Sequence, residues 1–356
     1  MRWIITPIAI FIISRVLIFS VTGLTLHFDR TTHNAQAPVD SNLVVQGMTR
    51  WDGGWFIRIA QNGYVERADT NFFPLFPLMG RWVSRISGLS IPASMVLCAN
   101  VCSLAALIVV YRIFTELDGE RVATAALALV VAWPFSFFYA AAYPESIMML
   151  STAGAIWLAM RRRHLSGGAV LGIGILARHL TALGGLTLLA VQIKERGLHP
   201  RRLIFHRDFI GLLLPLAMLS FYFVFLQSQF GDWRIWMRAR SDWGSSAWWG
   251  VYEFFTQASV RKPEIVFYLV LSIIPGLGAA LLLTRRRWRM LAPFAIALML
   301  LLWFCGIAGL GRYSSSCWPA FLPLGAWLAT RKVLLICAIC VLAICQGMML
   351  YLFVHL

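Results

Sequence analysis

Charge is what this chain has least of. Only 13% of its 356 residues are Asp, Glu, Lys or Arg, against 60% hydrophobic residues. A soluble domain keeps about a quarter of its residues charged, so a water-soluble globular protein is excluded. Familiar catalytic signatures are missing too. There is no His-x-x-x-His zinc pair, no Gly-x-x-x-x-Gly-Lys phosphate loop and no Gly-x-Ser-x-Gly nucleophile elbow. The Asp-x-Asp pair that often bridges a metal to a nucleotide sugar is absent. No internal repeat, low-complexity stretch or appended soluble domain stands out. The seven cysteines sit in apolar segments, as small buried hydrophobes rather than a disulfide framework or a zinc site. A bond between Cys305 and Cys317, both near the expected outer face, is the minor alternative.

What the chain has is long apolar runs: residues 4–26, 97–114, 122–142, 212–226, 265–283, 291–307 and 333–354. A bilayer core takes about 20 apolar residues in helical form, with backbone polar groups satisfied internally. No alternating barrel pattern appears. The expected fold is an all-α polytopic membrane bundle, one domain over 1–356, with about eleven helices. Their expected spans are 3–26, 91–115, 122–142, 144–160, 166–178, 180–193, 209–228, 263–283, 291–307, 317–329 and 333–354. The first is too long for a standard signal peptide and lacks a small-residue cleavage pattern.

The net charge of +16 raises the question of nucleic acid, and its distribution answers it. Basic residues gather between apolar runs, at Arg161–Arg163, Lys194 to Arg207, Arg285 to Arg289 and Arg331-Lys332. These clusters fall on alternate loops, which is the positive-inside pattern. They and the N-terminus are expected in the cytoplasm and the C-terminus outside, with no nucleic-acid partner. Two long loops then face outward, residues 27–91 and 230–262. Long loops on one side of a bundle carry function more often than they merely connect.

The first loop is the most informative. Thr49-Arg50-Trp51-Asp52-Gly53-Gly54-Trp55-Phe56-Ile57-Arg58-Ile59-Ala60-Gln61-Asn62-Gly63-Tyr64 repeats Trp51, Trp55 and Ile59 every fourth residue. That spacing predicts an amphipathic helix along the membrane surface, stopped by Gly63. Asn71 to Leu78, with Pro74 and Pro77, begins a second interfacial helix. Asp52 is the leading functional residue. A carboxylate among Trp51, Trp55 and Phe56 loses hydration unless it has a task or a partner. Two readings stand. Thr49-x-x-Asp52 fits a helix capping box, and Asp52 fits a catalytic base.

Trp51-Asp52-x-x-Trp55-x-x-x-Ile59-Ala60-x-x-Gly63-Tyr64, followed by Phe72-Phe73-Pro74-Leu75-x-Pro77-Leu78, resembles the PIG-V-like mannosyltransferase family. Eukaryotic members add the second mannose to the glycosylphosphatidylinositol precursor. The likeness continues through Ser14-Arg15, Tyr143-Pro144-Glu145-Ser146, Arg178, Phe230-Gly231-Asp232-Trp233 with Trp243, and Gly311-Arg312-Tyr313 before Pro319. The first-loop motif is fairly specific. The others are weak singly and useful in their order. Trp55 stands where the family more usually has tyrosine, and His179 follows Arg178 where a small or polar residue is commoner.

The resemblance implies a GT-C architecture with its site on the outer or luminal face. It also implies a polyprenyl-phosphate sugar as donor, a lipid-linked or glycan acceptor, and an acidic base in the first outer loop, which maps to Asp52. No metal or other cofactor is expected, since a lipid monophosphate has no diphosphate to bridge. The leaving phosphate calls for positive charge, and an arginine fork suits it better than lysine. Arg312 and Arg178, at outer helix ends, fit that role, with snorkelling to head groups as the rival reading. Arg15, deep in the first helix, is a functional candidate by its depth or the partner of an internal carbonyl or carboxylate. Glu145 fits either the helix dipole or substrate. Trp51, Trp55, Trp243, Asp232 and Tyr313 complete the candidate substrate contacts, the tryptophans doubling as interfacial anchors. Asp232 and Asp242 are second-choice bases. The expected activity is an inverting transfer of a sugar, mannose by resemblance. The rival class is a lipid or lipid-linked sugar flippase. Richness in Trp, Arg and Ala with short loops suggests a bacterial inner membrane.

Overall fold

The computed structural model describes residues 2–28, 40–242, 255–256, 262–306 and 309–355. Among these the structure is helical, with no strand. A helix forms within every expected span. Five helical stretches are long and apolar enough to cross a membrane by length and composition: Trp3–Phe28, Ile91–Ala132, Arg207–Phe230, Pro263–Leu281 and Lys332–His355. Glu145–Met160, His164–Ile175 and Arg289–Cys305 are shorter apolar helices. The chain is an integral, multi-pass membrane protein. Its backbone forms two compact units, residues 1–65, 72–150 and 325–356 in one, and 66–71 and 151–324 in the other.

In the first unit, helix Arg2–Phe28 packs on Ile91–Ala132 and on Lys332–His355. The Arg2–Phe28 helix buries only part of its surface, and Ile13 and Val16 face outward as a lipid-facing stripe would. Arg15 points inward and is nearly fully buried. Its guanidinium donates to Ser14 Oγ at 3.0 Å and to Ser103 Oγ, and lies 4.5 Å above the Phe11 ring. Its partners among the described residues are therefore hydroxyls and a ring rather than a carbonyl or carboxylate.

The stretch Ile91–Ala132 breaks at Gly119, whose φ of 82° and ψ of 165° suit glycine. This gives the two helices expected there. The second ends earlier than its apolar run. Pro134 disfavours helical geometry at Trp133, which is extended at φ −54°, ψ 136°. A single 3-10 turn, Ser136–Tyr139, leads from there to Pro144 and helix Glu145–Met160. Gln346 satisfies the loose carbonyls. Its Nε2 donates to Val131 O at 3.0 Å and Trp133 O at 2.9 Å, and also reaches Ser136 Oγ.

In the second unit, helix His164–Ile175 crosses Ile210–Phe230 so closely that a Cβ at Gly168 would collide with the Gly211 backbone. Pro263–Leu281 packs on Ala292–Cys305, where Trp303 Nε1 donates to Ser272 Oγ at 2.8 Å. Buried Trp318 donates to Thr152 Oγ1 at 3.2 Å. All seven cysteines are free, Cys305 and Cys317 included. Cys337 and Cys340 are exposed on helix Lys332–His355, so these two are not the buried hydrophobes expected.

Candidate functional site

Within the first unit the site is built on one turn. Helix Leu43–Met48 ends at Thr49, and helix Asp52–Asn62 begins three residues on. The capping box does not form. The N-cap is Trp51, and Thr49 Oγ1 donates backwards to Val45 O at 2.9 Å and Gln46 O at 3.1 Å. Asp52 is instead the first helical residue, half-buried. Trp51 has φ 56° and ψ −122°, a conformation a bulky residue rarely adopts. The indole Nε1 of Trp51 donates to Phe353 O at 3.1 Å. Tyr143 OH donates to Arg50 O at 2.8 Å, and Ala142 N donates to Met48 O at 2.8 Å. The Trp133–Pro144 segment thus braces the turn that carries Asp52.

The amphipathic helix ends at Gly63 as expected, with φ 78°. It is amphipathic, with one face turned to the protein. Gly53, Phe56, Ile57, Ile59 and Ala60 point inward, whereas Trp51 is exposed and Trp55 only half-buried. Trp55 stacks on Phe72 with centroids 5.5 Å apart, and the Arg58 guanidinium carbon lies 4.2 Å from the Trp55 ring centroid. The second interfacial helix runs Leu75–Ser87 from Pro74. Its Arg81 donates to Ala60 O and Ile59 O and so closes the first helix's C-terminus. Glu145 opens its helix after Pro144 and is fully buried. Its place in the first turn matches the dipole reading.

The second unit holds the arginines. Arg178, extended at φ −158°, precedes the 3-10 turn His179–Leu183 and is buried. Its guanidinium carbon lies 4.2 Å from the Tyr313 ring, and that of Arg312 lies 5.4 Å from the same ring. Three candidate residues, Arg178, Arg312 and Tyr313, are thus brought together. Beside Arg178, His179 Nε2 accepts from Arg240 Nη1 at 3.3 Å, and both pack against Trp236. Burial first, then Arg240 and Arg178, pulls the His179 pKa down to about 3, so the ring is neutral at pH 7. Arg178 and Arg240 flank a neutral imidazole, and Arg312 shares the Tyr313 ring with Arg178; such a group of guanidiniums can receive an anion.

Asp232 lies ahead of helix Ile235–Asp242. Its Oδ1 accepts Arg234 N at 2.9 Å, and its Oδ2 pairs with Arg238 at 3.2 Å. Trp243 and the side chain of Asp242 lie outside the described residues. Three residues escaped the sequence reading. Asp69, fully buried, accepts Glu66 N at 2.9 Å in a 3-10 turn that packs on helix Ile235–Asp242. Arg240 stands in the sequence among Arg234 and Arg238 and between tryptophans, with no spacing that singles it out. Arg50, close to Asp52 in the same motif, has no spacing that marks it.

The chain matches the family described as Mannosyltransferase (PIG-V) over residues 4–255. It is 28% identical over 158 residues to the GPI alpha-1,6-mannosyltransferase 2 of Mus musculus, covering 39% of this chain and 31% of that protein. It is 25% identical over 228 residues to the GPI mannosyltransferase 2 of Drosophila pseudoobscura pseudoobscura, covering 54% and 47%. The chain thus spans about a third to a half of the length of these curated relatives. Among solved structures, ArnT from Cupriavidus metallidurans bound to undecaprenyl phosphate superposes with a TM-score of 0.58 at 13% identity, covering 98% of this chain and 75% of that one. The Archaeoglobus fulgidus oligosaccharyltransferase superposes with a TM-score of 0.51 at 13% identity, covering 97% and 52%. The fold is therefore that of GT-C membrane glycosyltransferases.

Proposed function

This chain belongs to the PIG-V mannosyltransferase family, and from that premise we propose that it moves a mannosyl group from a polyprenyl-phosphate donor to a lipid-linked or glycan acceptor. The reaction takes place on the non-cytoplasmic face, in a bacterial inner membrane. The observation that carries the reading is the braced, strained turn at Trp51, which presents Asp52 as the first residue of its helix without a capping box.

Asp52 takes the proton from the acceptor hydroxyl as its oxygen attacks the anomeric carbon. The bond to the lipid phosphate breaks with its electron pair leaving on the phosphate oxygen. Arg178 and Arg312 receive that negative charge, and the anomeric centre inverts. Trp51, Trp55, Glu145, Trp243 and Tyr313 contact substrate. The donor class is that of the lipid in the ArnT structure.

The test is transfer itself. Purified protein is reconstituted with radiolabelled polyprenyl-phosphate mannose and a membrane lipid extract. Label in a new glycosidic bond is the expected result. Label that crosses the vesicle while still on polyprenyl phosphate would identify a flippase.

A further inference from the structure

Arg50 is among the largest fully buried side chains of the protein, with 1% of its surface exposed. Its backbone is fully engaged, since Arg50 O accepts both Tyr143 OH at 2.8 Å and Gly53 N at 3.0 Å. Its guanidinium is not. Neither Nε nor Nη2 has a hydrogen-bond partner, and among the described residues no carboxylate forms an ion pair with it. The turn is held by its backbone bonds, so the side chain is not what fixes it. A buried cation without a counter-charge is costly, and an apolar residue of similar length would serve structure better. The neighbouring helix end offers no substitute anion site, because Gly53 N and Gly54 N already donate to Arg50 O and Trp51 O.

We propose that Arg50 is a phosphate-binding residue, whose buried guanidinium takes the oxyanion of a lipid-linked substrate. A planar fork with donors on one edge suits a phosphate better than any point charge. The phosphate has two sources, the polyprenyl-phosphate donor or a phosphodiester on the acceptor lipid. Only this choice rests on the proposed function. The binding of phosphate does not.

The experiment uses the full chain in detergent and reads melting temperature and affinity, not transfer. The probes are undecaprenyl phosphate, phosphatidylinositol and inorganic phosphate. Without a probe, Arg50→Met is expected to melt at or above the wild-type temperature, because an unpaired charge has gone. Undecaprenyl phosphate or phosphatidylinositol is expected to raise the wild-type melting temperature and to bind Arg50→Met roughly 10- to 100-fold more weakly. Arg50→Lys should fall between the two. Arg112→Met, which removes an exposed arginine paired with Glu116 at 3.2 Å, should bind as wild type. Loss confined to undecaprenyl phosphate assigns the donor, and loss confined to phosphatidylinositol the acceptor. An Arg50→Met protein that melts lower, or fails to fold, makes Arg50 structural and overturns the proposal. Unchanged binding of all three probes overturns it as well. A wild type that binds through Arg50 yet transfers no mannose would sink the proposed function and leave the phosphate site standing.

Discussion

The Tyr143 hydroxyl donates to the Arg50 carbonyl across 2.8 Å, joining residues 93 positions apart. Together with Ala142 N on Met48 O, it clamps the turn in which Trp51 holds a positive φ. A non-glycine residue in such a conformation costs on the order of 1–3 kcal/mol. Each clamping bond returns about 0.5–1.5 kcal/mol. The strain persists because the surroundings fix it, and its effect is to set the direction in which Asp52 leaves the turn.

Asp52→Asn should therefore fold and bind donor as the wild type does, yet lose roughly 10²–10⁴-fold in turnover. Asparagine keeps the size and an acceptor oxygen but takes no proton at neutral pH. Transfer rate measured beside thermal melting and donor binding checks this. A folded variant with near wild-type turnover would move the base elsewhere, with Glu145 and Asp69 the next carboxylates to replace.

Gln346→Leu addresses the brace from the opposite side. Leucine fills similar space but removes the donor to Val131 O and Trp133 O, which are buried at the end of their helix. The expected loss is about 1–3 kcal/mol, read as a lower melting temperature. Turnover should fall with it, because the same segment carries Ala142 and Tyr143 to the Asp52 turn. An unchanged melting curve would show that the segment holds without this glutamine.

Much of this was legible in the sequence. Apolar runs bounded by arginine clusters placed the helices, and the Trp51–Tyr64 motif with its proline-rich sequel placed helices Asp52–Asn62 and Leu75–Ser87. Gly63 ended its helix where its residue type predicted. What failed was local. The apolar run 122–142 concealed a helix end, because hydropathy ignores the restraint that Pro134 puts on Trp133. The period-four pattern of Trp51, Trp55 and Ile59 marks an amphipathic helix but does not say which residues face the core, since large aromatics at an interface need not do so. The Thr49-x-x-Asp52 spacing suggested a cap, but the hydroxyl of Thr49 closes the preceding helix instead. Residues far apart in sequence, such as His179 with Arg240 or Gln346 with Ser136, meet only through the fold.

His179 gives a pH dependence with a definite sign. Its pKa in the folded protein is about 3, against an ordinary value of 6.5. The unfolded chain therefore binds the proton first as pH falls. The stability contributed by a neutral His179 is present above about pH 6.5 and is lost as pH drops towards 3. His179→Gln keeps an acceptor for Arg240 and removes the titration. Melting temperatures between about pH 7 and 3, which span the window of that loss, should fall less steeply in the glutamine variant. Parallel curves would show that His179 does not govern the slope.

Arg178 and Arg312 share the Tyr313 ring, at 4.2 Å and 5.4 Å, so their contributions should not be independent. Arg312→Ala is expected to weaken donor use more than Arg312→Lys, because both lose the planar fork but only alanine loses the charge. Arg178→Ala should act in the same direction. With both removed, the loss should differ from the sum of the single losses by about 0.5–3 kcal/mol, the range for residues in contact. Tyr313→Leu removes the ring that both cations face, at a cost of roughly 0.5–2 kcal/mol. If the ring positions the arginines for a phosphate, this cost should appear in the donor KM while acceptor KM stays the same. Donor kinetics identical to wild type in both alanine variants would remove the two arginines from the phosphate site. Arg50 would then be the cation left to test against the leaving group.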